Sequence, residues 1–194
     1  MKSAKKIFLY LLIVFIVPSI AHAHLIGGSG FRSGAVHPLS GLDHLLAMIA
    51  VGIISTRHGG KALWLIPATF VISMTVGGII SITGIQISFV DIGIALSVIF
   101  LGTAIDLQKK FPLYMTMIFI ALSAIFHGHA HGSEMPLIAS PVFYALGFVL
   151  STTLLHISGV LIGNYATKTN LTTRLLRYTG AGISVAGVFF LFGF

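Results

Sequence analysis

The segment from Ala62 to Ile82 reads ALWLIPATFVISMTVGGIISI and carries no charged side chain. A helix that rises about 1.5 Å per residue needs about 20 such residues to cross the hydrocarbon core of a bilayer. The rest of the 194-residue chain has the same character, because 56% of its residues are hydrophobic and only 8% are charged. A soluble domain carries about 25% charged residues. The sequence therefore predicts a protein that is solvated largely by lipid.

Five further apolar stretches resemble this segment in length. The six predicted spans are about 38–56, 62–82, 87–106, 112–131, 138–163 and 175–194. Lipid cannot satisfy backbone N–H and C=O groups, so each span is expected to be a helix. Pro38 and Pro112 stand at predicted helix starts, where a missing N–H costs nothing, whereas Pro67 should bend the second span. We predict an all-α, six-helix transmembrane bundle that forms one domain.

Residues 1–23 have the layout of a secretory signal peptide. Three lysines precede a short apolar run over residues 7–17, and Ala21 and Ala23 then offer two cleavage points. An uncleaved first helix is the alternative. Cleavage after Ala23 would leave residues 24–194 as the mature chain, with His24 first. The amine and imidazole of that residue could then bind a metal ion together.

Positive charge lies almost entirely on one side of the predicted bundle. With the mature N-terminus outside, the outer segments hold one basic residue, Arg32, and the inner loops with their flanks hold seven. The inner residues are Arg57, Lys61, Lys109, Lys110, Lys168, Arg174 and Arg177. An excess of Lys and Arg is typical of the cytoplasmic side. We therefore predict that both mature termini lie outside, and we assign the net charge of +7 to topology rather than to nucleic-acid binding.

The first predicted span opens with three ionisable residues, His37, Asp43 and His44. On one continuous helix His37 and His44 would share a face, with Met48 one turn beyond His44. Asp43 could orient the imidazole beside it or bind a cation directly. An interfacial His37 and a structural Asp43–His44 pair are the alternatives. Ionisable groups in a span cost about 2.5–3.5 kcal/mol each on insertion scales, which favours a functional role.

The fourth predicted span ends in a histidine-rich run. If the helix persists, His127, His131 and Glu134 follow an i, i+4, i+7 spacing and form one stripe, while His129 points away. Two imidazoles one turn apart are a familiar metal-binding pair. A chelating loop without a transport role is the alternative reading of this run.

The predicted topology brings both motifs to the outer layer of the bundle, together with Asp91 early in the third span. His156 lies deeper in the fifth span, either as a relay or as an ordinary buried histidine. The chain has no cysteine, and imidazole with carboxylate suits Ni²⁺, Co²⁺ or Zn²⁺. The primary candidate ligands are His37, Asp43, His44, His127, His131 and Glu134. The secondary candidates are His24, Met48, Asp91, His129 and His156.

The two motifs resemble those of the HupE/UreJ family. The first reads HPLSGLDHLLAM over residues 37–48, and the second reads FHGHAHGSEMP over residues 126–136. The resemblance covers nearly the whole chain, and the family's motif positions fall on the six primary candidate ligands, with His129 at a variable position. It implies a permease of the bacterial inner membrane, with periplasmic termini, that imports Ni²⁺ or Co²⁺ for urease or hydrogenase maturation.

The expected activity is transport rather than catalysis. The chain has no Gly-x-x-x-x-Gly-Lys phosphate loop, so we expect a carrier that does not hydrolyse ATP itself. The metal ion is then cargo, with no resident cofactor, and a homo-oligomer is left open. One alternative is a membrane zinc hydrolase of the ceramidase kind, with three imidazoles around Zn²⁺ and a carboxylate base. The other is an accessory protein that binds metal on the periplasmic side without transporting it.

Overall fold

The computed structural model describes residues 29–108, 110–136 and 139–193, and every regular element in these ranges is a helix. The seven helices are α1 (Ser29–Ser40), α2 (Leu42–His58), α3 (Ala62–Ile82), α4 (Val90–Leu107), α5 (Leu113–Ser133), α6 (Pro141–Ala166) and α7 (Asn170–Leu191). The all-α prediction is confirmed for this part of the chain. The signal peptide, its two cleavage points and His24 lie outside the described residues.

Four of these helices, α3 to α6, are long and apolar enough to cross a membrane. The pair α1 and α2 meets the same criterion only when it is taken together as one bent span. Helix α7 is not among the four, and it carries Arg174 and Arg177 in its first two turns. The described part of the chain is therefore all-helical and has four candidate membrane spans, or five if the bent pair is one span.

The prediction of one continuous helix over residues 38–56 is wrong. The helix is interrupted at Gly41, which adopts an extended conformation with φ −95° and ψ 119°. The helices on either side of this residue meet at an angle of 82°. Glycine is a poor helix former, so the break falls where the backbone is least committed to helix. Pro38 lies inside α1 rather than at a helix start. As a result, His37 and His44 belong to two different helices.

Close contacts between backbones hold the bundle together. Helix α3 packs along α5, α4 along α7, and both α1 and α2 along α6. A side chain at Gly128 of α5 would overlap the carbonyl oxygen of Met74, and one at Gly77 of α3 would overlap that of Ile125. Small residues at such points let helices approach in lipid. The glycines of the histidine-rich run thus serve packing, and α5 stays helical through Ser133.

The two ends of the bundle differ in chemistry. The histidine end is the end at which α2 begins and α5 ends. The basic end is the opposite one, which contains His58 and the first residues of α3 and α5. The 17 residues of α2 separate the two by about 25 Å. At the basic end, the guanidinium of Arg57 donates to the carbonyl oxygens of Ala104 and Ile105 at 2.7 and 2.6 Å. Arg57 therefore satisfies carbonyls that the end of α4 leaves free.

Candidate metal centre

Three side chains form the outer part of the histidine end. His37, His131 and Glu134 each offer one ligand atom, and these atoms lie within 4.8 Å of one another. Nε2 of His37 is 3.0 Å from Oε2 of Glu134, and Nδ1 of His131 is 3.9 Å from the same oxygen. This hydrogen bond with His37 lowers the pKa of the Glu134 carboxyl, which stays ionised. Two imidazoles and a carboxylate at these distances are suitable ligands for a divalent transition metal.

His44 continues this group toward the interior. Its ring centroid lies 4.0 Å from that of His131 and 4.7 Å from that of His127. Oδ1 of Asp43 accepts a hydrogen bond from the backbone N–H of His44 at 2.9 Å. The same oxygen lies 2.7 Å from Nδ1 of His44, but the angles of this second contact are not those of a hydrogen bond. A side chain at Gly41 would crowd both groups. The break at Gly41 therefore leaves room for a carboxylate–imidazole pair at the start of α2.

His127 is completely buried, and its neighbour defines its tautomer. The hydroxyl of Ser97 donates to the carbonyl oxygen of Ile94 at 2.7 Å, and its oxygen lies 2.9 Å from Nε2 of His127. Because a serine has one proton to donate, Oγ must accept from His127, so Nε2 carries the hydrogen. Nδ1 then keeps a free lone pair. Ser97 thus prepares His127 as a metal ligand through Nδ1.

The aromatic ring of Phe70 packs against both His127 and His156. Its centroid is 5.7 Å from that of His127 and 5.2 Å from that of His156. His156 and Thr152, one turn apart on α6, are both fully buried. His156 is therefore a buried imidazole that shares one apolar neighbour with His127.

The buried imidazoles have donor and acceptor capacity that the protein itself does not use. Among the described residues, both ring nitrogens of His44, His131 and His156 and Nδ1 of His127 lack a hydrogen-bond partner. An unsatisfied buried polar group costs about 1–3 kcal/mol. A series of such groups in one core requires compensation, and coordination of a cation by the imidazole lone pairs would provide it. The residues present thus fit a divalent metal ion.

Three secondary candidates have surroundings of different kinds. Nε2 of His129 is 2.9 Å from the carbonyl oxygen of Ile85 and 3.2 Å from the backbone nitrogen of Ile87, so this histidine anchors the loop between α3 and α4. Asp91 is exposed in the first turn of α4 and forms no ion pair within the described ranges. Met48 is fully buried in the hydrophobic core.

Several side chains at the site were not singled out from the sequence. Phe70 and Ser97 contact His127, while Tyr144 and Phe148 of α6 lie beside His37. A hydroxyl within an apolar span was a usable signal for Ser97. Phe70 is one of 15 phenylalanines, and nothing in its sequence neighbourhood distinguishes it.

Comparison with known proteins agrees with the motifs. The sequence profile of the family described as "HupE / UreJ protein" matches residues 10–190. Protein HupE of Rhizobium leguminosarum bv. viciae is 40% identical over 179 residues, which span 91% of this chain and 93% of that protein. No solved structure matches the chain.

Proposed function

Because this protein belongs to the HupE/UreJ family, we propose that it is a secondary permease that imports a divalent transition metal. Ni²⁺ is the proposed cargo, with Co²⁺ as the second candidate, for urease or hydrogenase maturation. We further propose six spans with both mature termini in the periplasm of a bacterial inner membrane. The observation that carries the proposal is a continuous series of imidazoles that leads from the surface into the core.

Exposure falls from the surface end of this series to its interior. The side chain of Glu134 is 56% exposed and that of His37 is 25% exposed, whereas that of His131 is only 6% exposed. His127, further in, is completely buried. A cation arriving from outside would therefore meet the carboxylate and His37 first. Capture begins on groups that water still reaches, so the ion loses its hydration shell in steps.

The spacing of the rings supports transfer from one ligand to the next. The centroids of His37 and His131 are 4.7 Å apart, and His44 continues the series with centroid distances of 4.0 Å to His131 and 4.7 Å to His127. Metal–imidazole bonds are about 2.0–2.1 Å long for Zn²⁺. An ion between two such neighbouring rings can hold the first while it binds the second. No transfer then requires a bare cation in an apolar medium, which would be far more costly.

Beyond His127, the next imidazole is that of His156. The ring of Phe70 packs against both imidazoles, and we propose that it turns as the ion passes from one to the other. An inside-negative potential favours inward movement of a doubly charged ion by about 4.6 kcal/mol per 100 mV. We propose that this potential drives import and that His156 receives the ion before its release.

Transport fits the site better than hydrolysis does. The crevice that reaches His131 between α3, α5 and α6 has a volume of about 90 Å³. Pockets for organic ligands are about 300–1,000 Å³, so a lipid substrate would find little room beside the imidazoles. An ion needs no such space. We therefore propose that the protein is not an enzyme.

The test measures cellular Ni, Co and Zn by mass spectrometry at submicromolar external metal. Cells with the wild-type protein are compared with cells that carry His131→Ala at matched membrane abundance. The control is Ser133→Ala, an exposed position two residues away whose hydroxyl bonds only to its own helix. We expect Ni or Co accumulation with the wild type and the control, and its loss with His131→Ala.

Two results would contradict the proposal. Equal metal content in all three strains would show that the protein does not import metal under these conditions. Tight Ni²⁺ binding by the purified protein without cellular accumulation would favour the non-transporting accessory protein instead.

A further inference from the structure

A second pocket lies at the basic end of the bundle, at the opposite end of α2 from the histidine end. It has a volume of about 500 Å³ and forms where the loop between α2 and α3 meets the segment that leads into α5. Lys61, Lys110 and His58 are its ionisable lining residues, and Ala62, Phe111 and Leu113 are among its apolar ones. The pocket thus combines two ammonium groups with an apolar wall.

The two lysines of this pocket have no acidic counterpart. The chain contains only four acidic residues. Asp43 and Glu134 contact histidines at the other end, and Asp91 begins α4 there as well. Asp106 is the acid at the basic end, and its Oδ1 lies 3.6 Å from Nε of Arg177. Within the described ranges no carboxylate therefore neutralises the pocket, which favours an anionic ligand.

Other polar groups near the pocket already have partners. Arg57 donates to the end of α4, and Arg177 donates to the carbonyl oxygen of Asp106 at 2.9 Å. Nε2 of His58 lies 3.3 Å from the hydroxyl of Thr116. Among the lining residues of the pocket, Lys61 and Lys110 are therefore the cations available to a ligand.

Exposed aromatic side chains locate the pocket relative to the bilayer. Trp64, in the first turn of α3, is 72% exposed, and Tyr114, in the first turn of α5, is 66% exposed. Tryptophan and tyrosine concentrate at membrane interfaces, where their rings lie at the level of the lipid headgroups. Both belong to the helix starts that frame the pocket. The lysines therefore lie near the depth of lipid phosphates, and the apolar wall lies near the acyl chains.

We propose that this pocket binds the phosphate of an anionic phospholipid, with Lys61 and Lys110 as its cationic ligands. Basic pockets between transmembrane helices on the cytoplasmic side bind lipid headgroups in this way. The proposal does not depend on metal transport, since the pocket and the histidines lie at opposite ends of α2. A lysine near an anionic headgroup contributes enough for about a fivefold change in affinity, so removal of both should weaken binding about 30-fold.

The experiment uses the full-length protein purified in a neutral detergent without added metal. Dioleoylphosphatidylglycerol is titrated in, and its binding is followed by native mass spectrometry and by the shift in unfolding temperature. Dioleoylphosphatidylcholine and inorganic phosphate are titrated in parallel. The test variant is Lys61→Gln with Lys110→Gln. The control is Lys168→Gln with Arg174→Gln, which removes two charges from exposed positions outside the pocket.

We expect phosphatidylglycerol to bind and stabilise the wild type and the control, and to bind the test variant about 30-fold more weakly. The single variants Lys61→Gln and Lys110→Gln should each weaken binding about fivefold. They test the proposal even if the double variant folds poorly. Equal weakening in the control would overturn the pocket as the site. Equal binding of phosphatidylcholine, or displacement of the lipid by inorganic phosphate at similar concentrations, would overturn the assignment to an anionic lipid.

Discussion

The replacement Asp43→Asn tests whether the carboxylate beside His44 positions that imidazole or binds the metal itself. Oδ1 of Asp43 lies 2.7 Å from Nδ1 of His44 and accepts the backbone N–H of the same residue. Asparagine keeps the size of the side chain and an acceptor oxygen for that N–H, but it loses the negative charge. The ring would then lack the electrostatic partner that directs Nδ1 toward residue 43 and leaves Nε2 for the metal.

The magnitude follows from this geometry. A carboxylate that orients a metal-binding histidine contributes about 10- to 100-fold in metal affinity, or about 1.4–2.7 kcal/mol. If Asp43 only positions His44, Asp43→Asn should raise the external Ni²⁺ concentration for half-maximal uptake by that factor. His44→Ala, which removes the ligand, should abolish uptake.

The assay is the initial rate of ⁶³Ni²⁺ uptake into cells at matched membrane abundance of each variant. Asp106→Asn is the control, because this carboxylate pairs with Arg177 at the basic end and an exposed pair contributes little. Uptake by Asp43→Asn that equals the wild type would refute the positioning role. If Asp43→Asn abolishes Ni²⁺ uptake as completely as His44→Ala does, the positioning role is also refuted and Asp43 is a direct metal ligand.

Three further predictions test the packing, the entrance and the interior of the site. Gly128→Ala should destabilise the purified protein by about 1–3 kcal/mol, because the new methyl group overlaps the carbonyl oxygen of Met74. The control is Gly182→Ala, which has open space around it and should unfold at the wild-type temperature. Equal stability of the two variants would contradict the packing argument. The Glu134 carboxyl has a pKa below its ordinary 4.5 because of its hydrogen bond with His37, so its contribution to stability is present above pH 4.5 and is lost as the pH falls through the lowered value. In metal-free thermal unfolding, the difference between wild type and Glu134→Gln should therefore shrink as the pH falls from about 5 toward 3, and a difference that grows on acidification would oppose this reasoning. Ser97→Ala removes the acceptor that holds the proton on Nε2 of His127, and it should weaken Ni²⁺ uptake by about tenfold or more; unchanged half-saturation would show that the tautomer of His127 does not matter.

The candidate site was only partly predictable from the sequence. The ligand types and their position near one end of the bundle followed from the two motifs and the distribution of basic residues. The prediction that His37 and His44 share one helix face was wrong, because the helix bends by 82° at Gly41 and the two rings instead each lie beside His131. His129 shows the same limit, because a residue in the histidine-rich run binds the loop at Ile85 and not the cluster.

Hydropathy and ligand chemistry are properties of short stretches of chain. The sequence by itself therefore determined the helical, lipid-solvated character of the protein and the set of candidate imidazole and carboxylate ligands. The distances between those ligands depend on which helices touch and how closely, and this is a property of the whole bundle. Gly77 and Gly128 let α3 approach α5, which brings Phe70 against His127. Only the tertiary structure decided that the histidines form an ordered series, that one phenylalanine packs against two of them, and that two lysines share a pocket at the opposite end. The physical reason is that backbone contacts between helices, and not the local pattern of any one of them, set these distances.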